Sequence, residues 1–203
     1  MKLYVSNKKE TPRMFENEFL EFGTRVHWTI PLFVYIPLNA WLVYYASAAF
    51  HTASTTIAAL FAAGLAVWTL TEYTLHRFVF HYHPASDLGK KIHWMFHGVH
   101  HDYPSDPLRL VMPPTISIPL ALLFYAFFRA LMGAEYSTAF MPGFLTGYLF
   151  YDISHFAVHH FPIKGRFFGA MREHHMRHHF KDPDAGFGVS SPLWDVIFRT
   201  VYK

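Results

Sequence analysis

The sequence contains no cysteine in 203 residues. Disulfides, iron–sulfur clusters, thiolate metal sites and thiol catalysis are therefore excluded. Charge is scarce as well: only 15% of residues are Asp, Glu, Lys or Arg. The formal net charge of +3 is too small and too dispersed for a nucleic-acid surface, so no nucleic acid is expected among the partners. The opening stretch MKLYVSNKKETPRMFENEF has no apolar core flanked by a cleavage site, so no signal peptide is expected. The motifs HExxH and Glu-x-x-His are missing, which removes the signatures of zinc hydrolases and of ferritin-like di-iron bundles.

Hydrophobic residues make up 52% of the chain and come in long runs, which points to the membrane class. Four apolar segments, at 30–50, 52–73, 115–132 and 138–158, are each close to the ~20 residues that cross a bilayer as a helix. Pro37 and Asn39 interrupt the first, as in a helix packed on a neighbour, and Pro113 and Pro114 stand where the third would begin. Gly143 and Gly147 give the fourth a face for close packing. The links near residues 49–52 and 133–137 carry no Lys or Arg. Residues 1–29 carry five, 75–110 four and 160–203 seven. The positive-inside rule then places both termini and the middle loop in the cytosol. The expected fold is an all-α integral membrane protein: four transmembrane helices in two hairpins, with a cytosolic histidine-rich helical cap. Residues 1–29 read as a cytosolic or interfacial segment, with Met14, Phe15, Phe19, Leu20 and Phe22 as an apolar stripe, and 30–203 as a single membrane-embedded domain.

Sixteen histidines are present, and fourteen lie between His76 and His101 or between His155 and His179. HGVHH and HHMRHH share a spacing: His97, His100 and His101, then His175, His178 and His179, stand at i, i+3 and i+4. Those positions share a helix face, so each triplet is expected to converge on one site. His155 and His159 are an i, i+4 pair. His76 and His81, five apart, project about 140° from each other on an α-helix and are expected to reach two neighbouring metals. The result is ten imidazoles for a two-metal site. Five nitrogens and a vacancy per ion suit iron better than the closed four-coordinate geometry of structural zinc.

His27, His51 and His83 fall outside the pattern; His93, His160 and His174 touch it as supporting candidates. Glu72, Asp152, Glu173 and Asp102 are the carboxylates near enough to orient ligand histidines, with Asp152 foremost. Tyr148 and Tyr151 are candidates for hydrogen bonds on the metal side, and Arg109 for a lipid headgroup. Each half of the chain reads hairpin, histidine pair, then HxxHH, an architectural repeat without close sequence repetition.

EYTLHRFVFH, HWMFHGVHHDYPSDPLRLVMPP, GYLFYDISHFAVHH, REHHMRHHF and GFGVSSPLWDVIFRT resemble the fatty acid hydroxylase superfamily, nearest to the fatty acid 2-hydroxylases of sphingolipid acyl chains. The resemblance runs from about Glu72 to Thr200. It implies a membrane di-iron monooxygenase in which O2 and two electrons remove hydrogen from the acyl carbon next to the carbonyl and return hydroxyl to it. It also implies metal ligation by His76, His81, His97, His100, His101, His155, His159, His175, His178 and His179, with zinc able to occupy the sites in a purified form. Many eukaryotic relatives carry a fused cytochrome b5 domain, for which the residues before the first crossing leave no room, so a separate donor such as cytochrome b5 or ferredoxin is expected. The basic stretches Lys90–Lys91, Lys164–Arg166 and Arg172–Arg177 are candidates for its docking. The PLRLVMPP and GFGVSSPLW stretches are expected to line the mouth of an acyl groove. The membrane is the endoplasmic reticulum in a eukaryote and the inner membrane in a bacterium, with the metal site facing the cytosol. The rival readings are a sterol or carotenoid hydroxylase of the same superfamily and a membrane zinc-binding or transport protein.

Overall fold

A computed structural model describes residues 3–202, which are helical wherever they are regular, with no strand among the described residues. The elements are α1 (Glu18–Gly23), α2 (Ile30–Phe50), α3 (Ser54–Leu75), a π-helical turn (His76–Phe80), α4 (Asp87–His93), a second π-helical turn (Trp94–Gly98), α5 (Val99–Asp102), α6 (Pro114–His160), α7 (Arg166–Phe180) and α8 (Leu193–Ile197). The chain divides into two compact units. One is Thr29–Thr69 with Met112–Phe150; the other joins the described residues up to Trp28 to Leu70–Val111 and to Tyr151 onward.

Three helices are long and apolar enough to cross a membrane: Ile30–Phe50, which lies in the first unit, and Ser54–Phe80 and Pro114–His160, whose ends from Leu70 and from Tyr151 belong to the second. The third and fourth predicted segments are joined in α6, whose backbone leaves helical geometry at Gly133, at φ 79° and ψ 173°. That left-handed φ is open to glycine without the Cβ penalty. On either side of it, the rings of Phe128 and Phe140 lie 4.6 Å apart and Phe124 and Phe144 4.9 Å apart, and the Tyr125 and Thr138 hydroxyls are 3.1 Å apart. A straight helix would separate residues 124 and 144 by about 30 Å. The large apolar side chains Phe33, Tyr44, Leu122, Leu123 and Leu131 face outward. Polar contacts lie between the helices instead: Tyr35 donates to Ser117 at 2.8 Å and Asn39 to Thr146 at 3.1 Å. Apolar outside and hydrogen-bonded inside is the arrangement that suits lipid. Gly143 works as its spacing implies, since a Cβ there would run into the Phe61 carbonyl of α3.

The second unit carries all ten clustered histidines. In its N-terminal segment Glu18–Gly23 is helical, and Phe19, Leu20 and Phe22 are exposed on it. The rest is strapped across the histidine-bearing segments. Val5 and Ser6 donate their N–H groups to the Asp102 carbonyl, Thr11 its hydroxyl to Asp106 at 2.6 Å, and Val26 its N–H to the Leu108 carbonyl at 2.8 Å. The strap ends in an apolar knot, where Val26 and Trp28 pack on Leu110, Val111 and Phe156. Arg109, only 3% exposed, meets no headgroup. It pairs with buried Glu21 and donates to the Pro12 carbonyl and, at 3.3 Å, to Thr24. Burial works to raise the Glu21 carboxyl, but the N–H groups of Met14 and Phe15 and the Arg109 charge hold it down at about 2.

Candidate metal centre

The ten histidines gather into two groups of five. In site A stand His76, His81, His97, His101 and His178; in site B stand His100, His155, His159, His175 and His179. Within each, one ring nitrogen per residue lies within 4.8 Å of the others. The sites abut through the stacked rings of His101 and His179, 4.2 Å apart at 22°.

This division differs from the one that spacing predicts, for two reasons of helical geometry. His76 and His81 belong to the same site because the turn between them is π-helical, with the His81 N–H bonded to the His76 carbonyl at 3.1 Å. Hydrogen bonding from i to i+5 adds a residue to the turn and brings positions five apart onto nearly one face. Each HxxHH triplet, in turn, is split. On an α-helix i and i+4 diverge by about 40°, while i+3 lies about 60° to the other side. The pair His97 and His101 therefore turns to site A and His100 to site B, whereas His175 and His179 turn to site B and His178 to site A. Each half of the chain keeps four histidines for its own site and lends the i+3 member to the other. The architectural repeat is thus a reciprocal exchange.

Several facts fit a cation in each group. In site A the Nε2 atoms of His76 and His97, and of His97 and His81, are 3.2 Å apart; those of His97 and His101, and of His81 and His178, are 3.0 Å apart. In site B those of His159 and His175 are 2.9 Å apart. Burial, reinforced by the neighbouring imidazoles, pushes His97, His100, His101, His175 and His179 well below the usual histidine range. The same cause takes His81 to about 2 and His178 to about 4. His97 Nε2 stands 3.0–3.2 Å from three other Nε2 atoms and has at most one proton to give, so hydrogen bonds alone do not satisfy the group and a shared cation would. His100 Nε2, His155 Nε2 and the nitrogens of His179 are buried with no hydrogen-bond partner, and a metal would take one nitrogen of each ring. With metal–nitrogen bonds of about 2.1 Å, ligands at right angles stand about 3.0 Å apart and tetrahedral ones about 3.4 Å. The separations here, 2.9–3.2 Å, are of that size.

A second layer orients site A. His76 Nδ1 donates to the Phe187 carbonyl at 2.5 Å and His178 Nδ1 to the Ala185 carbonyl at 2.8 Å. A carbonyl only accepts, so the proton sits on Nδ1 and each Nε2 offers its lone pair to the site. The buried 185–190 stretch is therefore a collar around site A, where the sequence suggests a groove mouth, and Leu110 and Val111 of the other stretch sit in the apolar knot. Glu72 reaches the collar. Its Oε1 takes the N–H groups of Val189 and Ser190, both at 2.8 Å, and its other oxygen the Ser190 hydroxyl. Asp195, fully buried and unmarked by any spacing, accepts from Phe187 N at 2.9 Å, Gly188 N at 2.8 Å, Thr200 Oγ1 at 2.7 Å and His174 Nε2 at 3.2 Å. Burial tends to raise this carboxyl, and those four hydrogen bonds hold it below its usual value. Carboxylate spacing from the histidine pairs could not have found Asp195, because it lies beyond them in the sequence and reaches site A through the backbone of residues 187 and 188.

The remaining candidates take several places. Asp152 is buried one turn before His155, and the Tyr151 ring lies 5.7 Å from that of His155. Tyr148 packs edge-on against Tyr35 and Trp68 in the helical unit. His93 reaches the Phe80 carbonyl at 2.6 Å and His160 the Asp106 carbonyl at 3.3 Å. Asp102 accepts from the Trp94 indole at 2.8 Å, and Glu173 is exposed.

Comparison with known proteins bears on this geometry. A family model described as fatty acid hydroxylase matches residues 61–200. A dihydroceramide fatty acyl 2-hydroxylase of Arabidopsis thaliana is 36% identical over 194 residues, covering 95% of this chain and 81% of that protein. A ceramide very long chain fatty acid hydroxylase of Saccharomyces cerevisiae is 38% identical over 196 residues, covering 95% of this chain and 50% of its own length. A solved structure of full-length scs7p, with only the hydroxylase domain visible, matches at a TM-score of 0.86 and 36% identity, covering 93% of this chain and 71% of that one.

Proposed function

This chain belongs to the fatty acid hydroxylase family, and from that premise we propose that it hydroxylates carbon 2 of a fatty acyl chain, at two iron ions held by the ten clustered histidines. The balance is one acyl C–H, one O2, two electrons and two protons in, and one C–OH and one water out. The relatives named above are hydroxylases of fatty acyl or ceramide chains, which favours an acyl substrate over a sterol or carotenoid. The single observation that carries the reading is the gathering of ten imidazoles into two five-nitrogen groups. Iron held by these histidines would supply the activation of O2.

The chain's own residues hold and orient. His76 and His178 are fixed as Nε2 ligands by their carbonyl partners. Asp152 and Tyr151 close the His155 side of site B against water, and Glu72 acts on site A through the collar. We read the two parts of α6 on either side of Gly133 as separate crossings, which makes four with α2 and α3; the ring contacts between residues 124 and 144 support this. The distribution of Lys and Arg supports a metal side facing the cytosol. Electrons come from a separate carrier, and the basic residues of α7, Arg166, Arg172 and Arg177, suit an acidic one.

The test is anaerobic purification with iron, then addition of labelled O2 and a reductant in the presence of ceramides, free fatty acids, sterols and carotenoids. Mass spectrometry is expected to find one labelled oxygen at carbon 2 of an acyl chain. A hydroxylated sterol or carotenoid without a 2-hydroxy acid, or metal flux in proteoliposomes without oxygen consumption, overturns the proposal.

A further inference from the structure

The collar of site A is organised by two carboxylates in a regular way. Four successive backbone N–H groups point away from the histidines: those of Phe187 and Gly188 end on Asp195, those of Val189 and Ser190 on Glu72. The carbonyls of Ala185 and Phe187 point the opposite way, onto His178 and His76. The Phe187 carbonyl and the Gly188 N–H are the two ends of one peptide group. An unbroken run therefore leads from Asp195 Oδ2 to the Gly188 N–H at 2.8 Å, across that peptide, and from the Phe187 oxygen to His76 Nδ1 at 2.5 Å. A negative charge on the N–H end of a peptide polarises it and makes its oxygen the better acceptor. A better acceptor on Nδ1 makes Nε2 the better donor. Gly188 allows the close approach, since a Cβ there would run into the Ser191 carbonyl. A second link is less direct: the Ala185 carbonyl holds His178, the Gly186 N–H of the same peptide donates to the Thr200 carbonyl, and the Thr200 hydroxyl ends on the Asp195 carboxylate while its N–H ends on the Asp195 backbone carbonyl.

We propose that Asp195 is a positioning residue for site A, acting on His76 through the Phe187–Gly188 peptide as the carboxylate of a carboxylate–histidine–metal arrangement one peptide unit removed. The proposal rests on the reading of sites A and B as metal sites. Both Asp195 oxygens accept from backbone N–H groups, so an amide there turns an NH2 toward a donor. Glu72 differs: its Oε1 takes both backbone bonds, and its other oxygen faces a hydroxyl able to accept. Asp195→Asn therefore breaks the collar, whereas Glu72→Gln preserves it.

The test loads the full chain in nanodiscs with iron and follows ions per chain and their release to a chelator. Wild type is expected to hold two; a wild type holding none or one overturns the metal-site reading itself, independently of Asp195. Asp195→Asn is expected to release one ion about 10–100-fold faster and the other at the wild-type rate, and Glu72→Gln, which keeps its hydrogen bonds to the collar, to speed that same ion far less. In a His159→Ala background, with site B crippled, Asp195→Asn is expected to speed loss of the remaining ion; in a His81→Ala background it is expected to change nothing. Parallel acceleration of both ions, unchanged release of both, or a collapse of the fold in Asp195→Asn that Glu72→Gln shares would each overturn the proposal.

Discussion

Sites A and B hold the same number of histidines and are braced by opposite means. Site A leans on the C-terminal collar, a polar device of carbonyls, amides and two buried carboxylates. Site B is flanked by the apolar knot at the end of the N-terminal strap. Phe156, between His155 and His159 on α6, stacks on Trp28 at 5.6 Å and on His160 at 4.3 Å, and Leu110, Val111 and Val26 complete the knot. Hydrogen bonds are directional and set the tautomer of a ring. Packing sets only where the backbone of the ring sits. Consistent with this, buried ring nitrogens without a protein partner are concentrated at site B, on His100, His155, His175 and His179. Protein groups orient the rings of site A, and the rings of site B have fewer such partners.

The exchange of i+3 histidines ties the two sites together, and breaking it should have the largest effect. His100→Ala removes a ligand that the first half lends to site B, and His178→Ala one that the second half lends to site A. Each is expected to lower product formation at least ~100-fold and to cost one ion, with membrane insertion retained; near-wild-type turnover in either contradicts the exchange. Next is the knot. Phe156→Ala empties a buried aromatic position and is expected to cost about 3–5 kcal/mol, read as a fall in the thermal midpoint of the metal-free chain and as preferential loss of the site B ion. Loss of the site A ion first would reverse the comparison.

Acid should also act on the strap. The folded Glu21 carboxyl titrates at about 2 against an ordinary 4.5, so its contribution is complete above 4.5 and is lost as pH falls through about 2. That difference corresponds to about 3 kcal/mol. Hydrogen exchange of residues 14–26 is expected to rise between those values, and Glu21→Gln to show the same rise at neutral pH. Protection that does not change across that window removes the Glu21–Arg109 pair from the account. The smallest effect is assigned to Asp152, one turn from His155. Asp152→Asn is expected to weaken retention of the site B ion by about 10–100-fold and to leave site A unchanged. Ion release equal to wild type under chelator would remove Asp152 from site B.

The ten histidines, the long apolar helices and the family were legible in the linear order of residues, because spacing along a helix and hydrophobic run length are local properties. His100 and His178 could be chosen from HxxHH alone. Their assignment to opposite sites could not, since it depends on how two helices turn toward a shared boundary. Nor could the union of His76 with His81, which needed a π-helical turn that no propensity announces. Arg109 reads as a surface cation until the strap closes over it, and Asp195 as an ordinary helix residue until the amides of residues 187 and 188 are folded onto it. The chemistry of the site was written in side chains. Which side chains serve which ion, and what holds them there, was decided by backbone groups brought together from distant parts of the chain, and backbone groups leave no mark on a sequence.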